Sequence, residues 1–106
     1  MKKARPVIKR SKYNATPTIV DGRRFHSKRE ANRYCELKLL QREGKISDLQ
    51  MQVPFFLVIK EKYIADFVYH EKGERIVEDV KGAITSSYRR KRKAMLKQHS
   101  ITIRET

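Results

Sequence analysis

The chain has 106 residues, 39% of them hydrophobic and 36% charged, with 26 Lys and Arg against 12 Asp and Glu, for a formal charge of +14. That length supports one domain with one modest core, and the charge imbalance points to a polyanion, above all nucleic acid. The single cysteine, Cys35, excludes an internal disulfide and a cysteine-based zinc site. The longest apolar run, Val53 to Ile59, is interrupted by Pro54 and too short to span a membrane.

Residues 1–29 hold ten Lys and Arg and one acid, Asp21. The opening MKKARPVIKR is not followed by the apolar stretch of a secretion signal, so the protein is expected to stay where it is made, in the cytoplasm. Residues 1–12 lack periodicity and read as a basic flexible arm, leaving 13–106 as the folded domain. In TIVDGRRF, Asp21-Gly22 predicts a tight turn joining strands Thr18–Val20 and Arg23–Phe25.

Ser27 and Glu30 have the spacing of a capping box, which predicts a helix to about Glu43, ended by Gly44. At ~100° per residue, Ala31, Tyr34, Cys35 and Leu37 form its apolar face, with Leu39 at the edge and Cys35 expected as a packed thiol. Three strands should follow: Leu49 to Ile59, with Pro54 marking an edge or bulge, then Tyr63 to His70 and Arg75 to Lys81. A second helix, capped by Ser86 or Ser87, should run to about Gln98 with Tyr88, Met95 and Leu96 inward. A short strand, Ile101 to Arg104, completes an α-β-β-β-α-β order.

The third of these strands contains VEDVKG, Val77 to Gly82, whose acids and lysine sit in the most strand-like segment of the chain. If Glu71-Lys72-Gly73-Glu74 is the connecting loop, Asp66 faces Asp79 and Val68 faces Val77. Strand alternation then puts Asp66, Asp79 and Lys81 on one face, with Phe67, Glu78 and Val80 on the other. Opposed carboxylates repel. A divalent cation between them would remove that cost, and the nearby Lys81 could hold a water or stabilise charge on a phosphoryl group. The alternative for so short a pattern is a salt-bridged surface patch. Glu78 reads as a secondary acid paired with a lysine or arginine. Glu30, besides its cap, lies on the inward side of its helix and could reach the acidic pair.

These motifs in this order resemble the PD-(D/E)XK nuclease superfamily. DGRRFHSKREANRYCELKLLQ, IADFVY and VEDVKG followed by YRRKRK are most similar to small phage-encoded nuclease-like proteins of that group. Archaeal Holliday junction resolvases and a transposon end-cleaving endonuclease are also similar. The resemblance implies a restriction-endonuclease-like α/β domain, a mixed central sheet flanked by helices. It implies Mg²⁺ or Mn²⁺ held by Asp66, Asp79, the Val80 carbonyl and the helical acid Glu30, with Lys81 as the motif lysine. Ala65 stands where the motif name has proline. The implied activity is hydrolysis of phosphodiester bonds in duplex or branched DNA, in a host cytoplasm if the gene is a phage's.

SSYRRKRKAMLKQH carries Arg89, Arg90, Lys91, Arg92, Lys93 and Lys97 and no acid, and is expected to hold DNA phosphates. Arg23, Arg24 and Lys28 are further candidate contacts. Nothing encodes base readout, so structure-selective cutting is expected. Paired cuts at a junction would need a homodimer. The rival reading is a non-catalytic nucleic-acid-binding accessory protein.

Overall fold

A computed structural model describes residues 18–106. The expected basic arm, 1–12, lies outside the described residues. Contacts divide the described residues into two compact units, one ending at Tyr34 and the other Cys35–Thr106, and the first helix crosses the division.

In the first unit, β1 (Thr18–Val20) and β2 (Arg23–Phe25) form an antiparallel hairpin with Val20 opposite Arg23. The turn residues Asp21 and Gly22 both have positive φ, 52° and 75°. Two left-handed residues match the twist of a two-residue hairpin, which is why an Asp-Gly pair forms it. The Tyr34 hydroxyl donates to Asp21 Oδ2 at 3.1 Å, tying the turn to helix α1 (Lys28–Arg42). Ser27 Oγ accepts the Glu30 N–H at 3.1 Å, as the capping box predicts. The far end of α1 closes on Gly44 (φ 78°), where Gly44 N–H donates to Gln41 O and Lys45 N–H to Leu40 O. That pair of bonds is a Schellman motif.

Ala31, Tyr34 and Leu37 are buried as expected, but Cys35 is exposed and Leu39 half exposed. The buried stripe of α1 is centred on Glu30, Tyr34 and Leu37, and at ~100° per residue Cys35 falls beyond its edge. The packed-thiol expectation is therefore corrected.

The second unit is α/β, with a mixed four-stranded sheet in the order β3-β4-β5-β6. β3 (Ser47–Leu57), β4 (Glu61–Glu71) and β5 (Glu74–Asp79) are antiparallel neighbours, and β6 (Arg104–Glu105) runs parallel to β5. The β4–β5 register pairs Val68 with Val77 and Phe67 with Glu78, the pairing expected from the loop. The loop itself is shorter: Glu71 pairs with Glu74 across Lys72 and Gly73, both at positive φ. β5 ends at Asp79, so Val80 and Lys81 lie beyond the strand rather than in it.

Helix α2 (Ser86–His99) is capped by Thr85, whose Oγ1 accepts the Tyr88 N–H, and not by Ser86 or Ser87. Tyr88 and Met95 are buried while Leu96 is 54% exposed, because Leu96 lies ~100° round the helix from Met95. The core joins Phe55 and Leu57 of β3, Tyr63, Ala65 and Val68 of β4, Val77 of β5, Tyr88 and Met95 of α2, and Ile103.

Pro54 sits on β3, an edge strand, as expected, and the bulge lies between Ser47 and Gln50. Part of that open edge is covered. Gln98 of α2 donates Nε2 to Phe56 O at 3.1 Å and accepts the Val58 N–H on Oε1 at 2.7 Å. A side-chain amide thus pairs like a neighbouring strand and blunts the edge. Gln98→Ala is expected to cost about 1 kcal/mol per lost bond and to raise self-association. Denaturant unfolding and sedimentation check this; wild-type values for both would show the bonds contribute nothing.

Candidate functional site

Side chains along an ideal strand alternate, yet Tyr63, Ala65 and Val68 all join the same core. The alternation of β4 therefore resets between Ala65 and Val68, around Asp66. In β3, Gln52 has φ 54°, flanked by the rungs Met51–Phe67 and Val53–Ala65. A non-glycine residue in the left-handed region inside a strand is uncommon and marks a local distortion. The distortion lies on the rung where Asp66 falls.

β5 stops at Asp79 while β4 continues to Glu61, and at this fork a cavity of about 350 Å³ opens. Asp66, Asp79 and Lys81 all line it, so the three residues singled out in the sequence are brought together. Lys62 and Lys91 add positive charge to its wall, and Thr85 and Ser87 contribute from the start of α2.

Each acid is held by the chain. Asp66 Oδ2 accepts the Val80 N–H at 2.9 Å. Asp79, only 5% exposed, accepts the Tyr63 hydroxyl at 2.7 Å and lies 3.4 Å from Lys81 Nζ, both at Oδ2. The parallel β5–β6 pairing fixes the backbone on either side of Val80: Thr106 N–H donates to Asp79 O and Lys81 N–H to Thr106 O, each at 3.0 Å. Lys81 Nζ also sits 3.7 Å from the centre of the Tyr88 ring, where the quadrupole attracts a cation. The Tyr88 hydroxyl donates to Glu105 Oε2 at 2.7 Å, and Arg92 bonds the same oxygen. These contacts modify one expectation. The two acids carry their own donors, so their repulsion does not depend on a cation alone for relief.

Tyr63 and Tyr88 were not among the expected site residues. Period-two counting puts Tyr63 opposite Asp66, and only the reset in β4 turns it towards Asp79; no short-range signal shows this. Tyr88 read as core, which it also is. Both hydroxyls are held protonated, with pKa values well above the tyrosine range, first by burial and then by their carboxylate partners. The Tyr69 hydroxyl is raised in the same way by burial and Glu78. A raised folded-state pKa gives stability that is whole below the unfolded value of 10.0 and fades as pH climbs above it. Melting temperature is expected to fall steadily above about pH 10, and Tyr63→Phe should flatten that fall. A wild-type melt independent of pH between about 9 and 11 would refute the assignment.

Glu78 is fully buried on the other face, bonded by the Tyr69 and Thr106 hydroxyls, and Arg104 donates to that Tyr69 hydroxyl at 3.2 Å. Glu30 belongs to the first unit and is 6% exposed. Its cap is present, and its role beyond that rests on the resemblance. Arg23, Arg24 and Lys28, in the same unit, are exposed.

Of the basic residues on α2, Lys91 lines the cavity. Arg90 is bound by both oxygens of Glu61 and Arg92 by Glu105, so these two are tied down within the protein. Arg89, Lys93 and Lys97 are exposed.

Among the described residues no three His, Cys, Asp or Glu side chains group to hold a metal. The hard oxygen donors lining the fork include the carboxylates of Asp66 and Asp79. That set fits Mg²⁺ or Mn²⁺, hard cations bound through one or two carboxylates while several waters are kept.

A family model described as "Protein of unknown function (DUF1064)" matches residues 10–105. The chain belongs to this family. The matched range takes in every residue that lines the cavity at the fork, from Lys62 to Lys91. No curated protein and no solved structure matches. No helix among the described residues is long and apolar enough to cross a membrane.

Proposed function

We propose that this protein is a metal-dependent DNA endonuclease of the PD-(D/E)XK type, acting on branched or otherwise non-uniform DNA. The observation that carries the reading is the convergence of Asp66, Asp79 and Lys81 on one cavity walled by further lysines. A bound Mg²⁺ or Mn²⁺ would polarise the scissile phosphate and lower the pKa of a bound water. Asp66, Asp79 and the Val80 carbonyl would hold it. Lys81, kept in place by Asp79 and the Tyr88 ring, would orient the attacking water and offset charge on the phosphate. Lys62 and Lys91 would draw the backbone into the fork, and the exposed Arg89, Lys93 and Lys97 would hold it beyond.

A second reading, a non-catalytic nucleic-acid-binding protein, draws on one observation: Asp79 is already engaged by Tyr63 and Lys81, as a structural acid would be. Incubating purified protein with supercoiled plasmid and synthetic branched DNA in Mg²⁺, Mn²⁺ or EDTA separates the two. Metal-dependent nicking that Asp79→Asn removes supports the nuclease. DNA binding with no cleavage in any metal favours the binding protein.

A further inference from the structure

A second hollow, about 390 Å³, lies where the β3–β4 turn meets α2. Val58, Ile59 and Ala94 give it an apolar lining, which Lys93 and Lys97 share; Arg90, also in the lining, is held by Glu61. Val58 is 77% exposed and Ile59 39%, large apolar side chains beside a strongly basic helix. Gln98, bonded to the backbone of Phe56 and Val58, fixes the turn against α2, so the hollow is a built feature.

We propose that this groove holds an unpaired stretch of DNA strand leading away from the fork, so that the substrate carries a single-stranded segment; this rests on the nuclease reading. A duplex shows a protein its phosphates and groove edges and would leave Val58 and Ile59 wet. An unpaired nucleotide offers an apolar base face that can cover Val58 and Ile59, beside a phosphate that suits the ammonium groups of Lys93 and Lys97. The two sites are also joined by one helix. α2 supplies Ser87 and Lys91 to the cavity at the fork and Lys93 and Lys97 to the groove, and Lys91 to Lys97 spans about 9 Å of axis. A strand leaving the fork along α2 meets the groove directly.

The test compares, for the full chain in EDTA, affinity for a blunt duplex and for the same duplex with a short oligothymidine tail. Wild type should bind the tailed DNA about tenfold tighter, the gain expected when one exposed aliphatic side chain is taken out of water by a base. In Val58→Asp/Ile59→Asp that ratio should drop to about one while the melt stays that of wild type; if this variant melts early, Ile59→Ser carries the same comparison. Lys93→Ala/Lys97→Ala should reduce the salt slope for tailed DNA by about 1.4, at ~0.7 per single-strand phosphate. A wild-type ratio of one overturns the proposal, as does a ratio that Val58→Asp/Ile59→Asp leaves intact. If that variant only turns a dimer into a monomer, the face is a contact between copies and the proposal is also overturned. Because binding is read without metal, the two readings fail separately. Tailed preference without any cleavage would keep the groove and remove the nuclease, whereas cleavage with a ratio of one would remove only the groove.

Discussion

Asp66→Asn, Asp79→Asn and Lys81→Ala are each expected to cut DNA cleavage by at least about 100-fold, the cost of removing one preorganised charge-stabilising group, while DNA binding persists. All three side chains line one cavity, whereas Arg89, Lys93 and Lys97 of α2, the proposed phosphate contacts, are not part of its wall. Asp79→Asn keeps the shape of the side chain and can still accept the Tyr63 hydroxyl, so it removes charge with little else. Lys81→Ala leaves Asp79 buried with one donor fewer and is expected to be less stable as well as inactive. Its melt must therefore be recorded beside its activity. A pure, folded variant that cleaves at a near-normal rate shows that its residue has been given the wrong role.

The second large effect is on stability. Binding to the native state alone adds RT ln(1 + [L]/Kd), about 2.7 kcal/mol at a hundredfold excess over Kd. For a chain of this size that corresponds to a rise in Tm of about 10 °C or more. Wild-type melts with and without Mn²⁺ should differ by that order, while those of Asp66→Asn/Asp79→Asn should coincide. The double variant is not expected to gain much in EDTA, because the Val80 N–H, the Tyr63 hydroxyl and Lys81 already attend the two acids. DNA can supply phosphate oxygens to the metal, so the melts are repeated with a short duplex. A wild type indifferent to millimolar Mn²⁺ and Mg²⁺ in both conditions has no metal site at the fork.

Much of the fold was legible because its signals are local. Asp21-Gly22 sets one hairpin, Ser27 and Gly44 bracket α1, and the turn around Gly73, though two residues rather than the four expected, keeps the expected β4–β5 register as far as the Phe67–Glu78 rung. Those are effects of backbone dihedrals and caps, which a few neighbouring residues decide. The tertiary structure decided the rest. Where β5 ends depends on the Asp66 carboxylate taking the Val80 N–H and on Thr106 pairing with Asp79 and Lys81, contacts 14, 27 and 25 residues apart in sequence. The reset of alternation in β4 puts Tyr63, Ala65 and Val68 in one core with Tyr88 and Met95 of α2, and there the Tyr63 hydroxyl meets Asp79. Cys35 and Leu96, one residue away from buried neighbours, were misjudged for a related reason. A helix's apolar residues define an arc, but the surface it meets decides which part of that arc is buried.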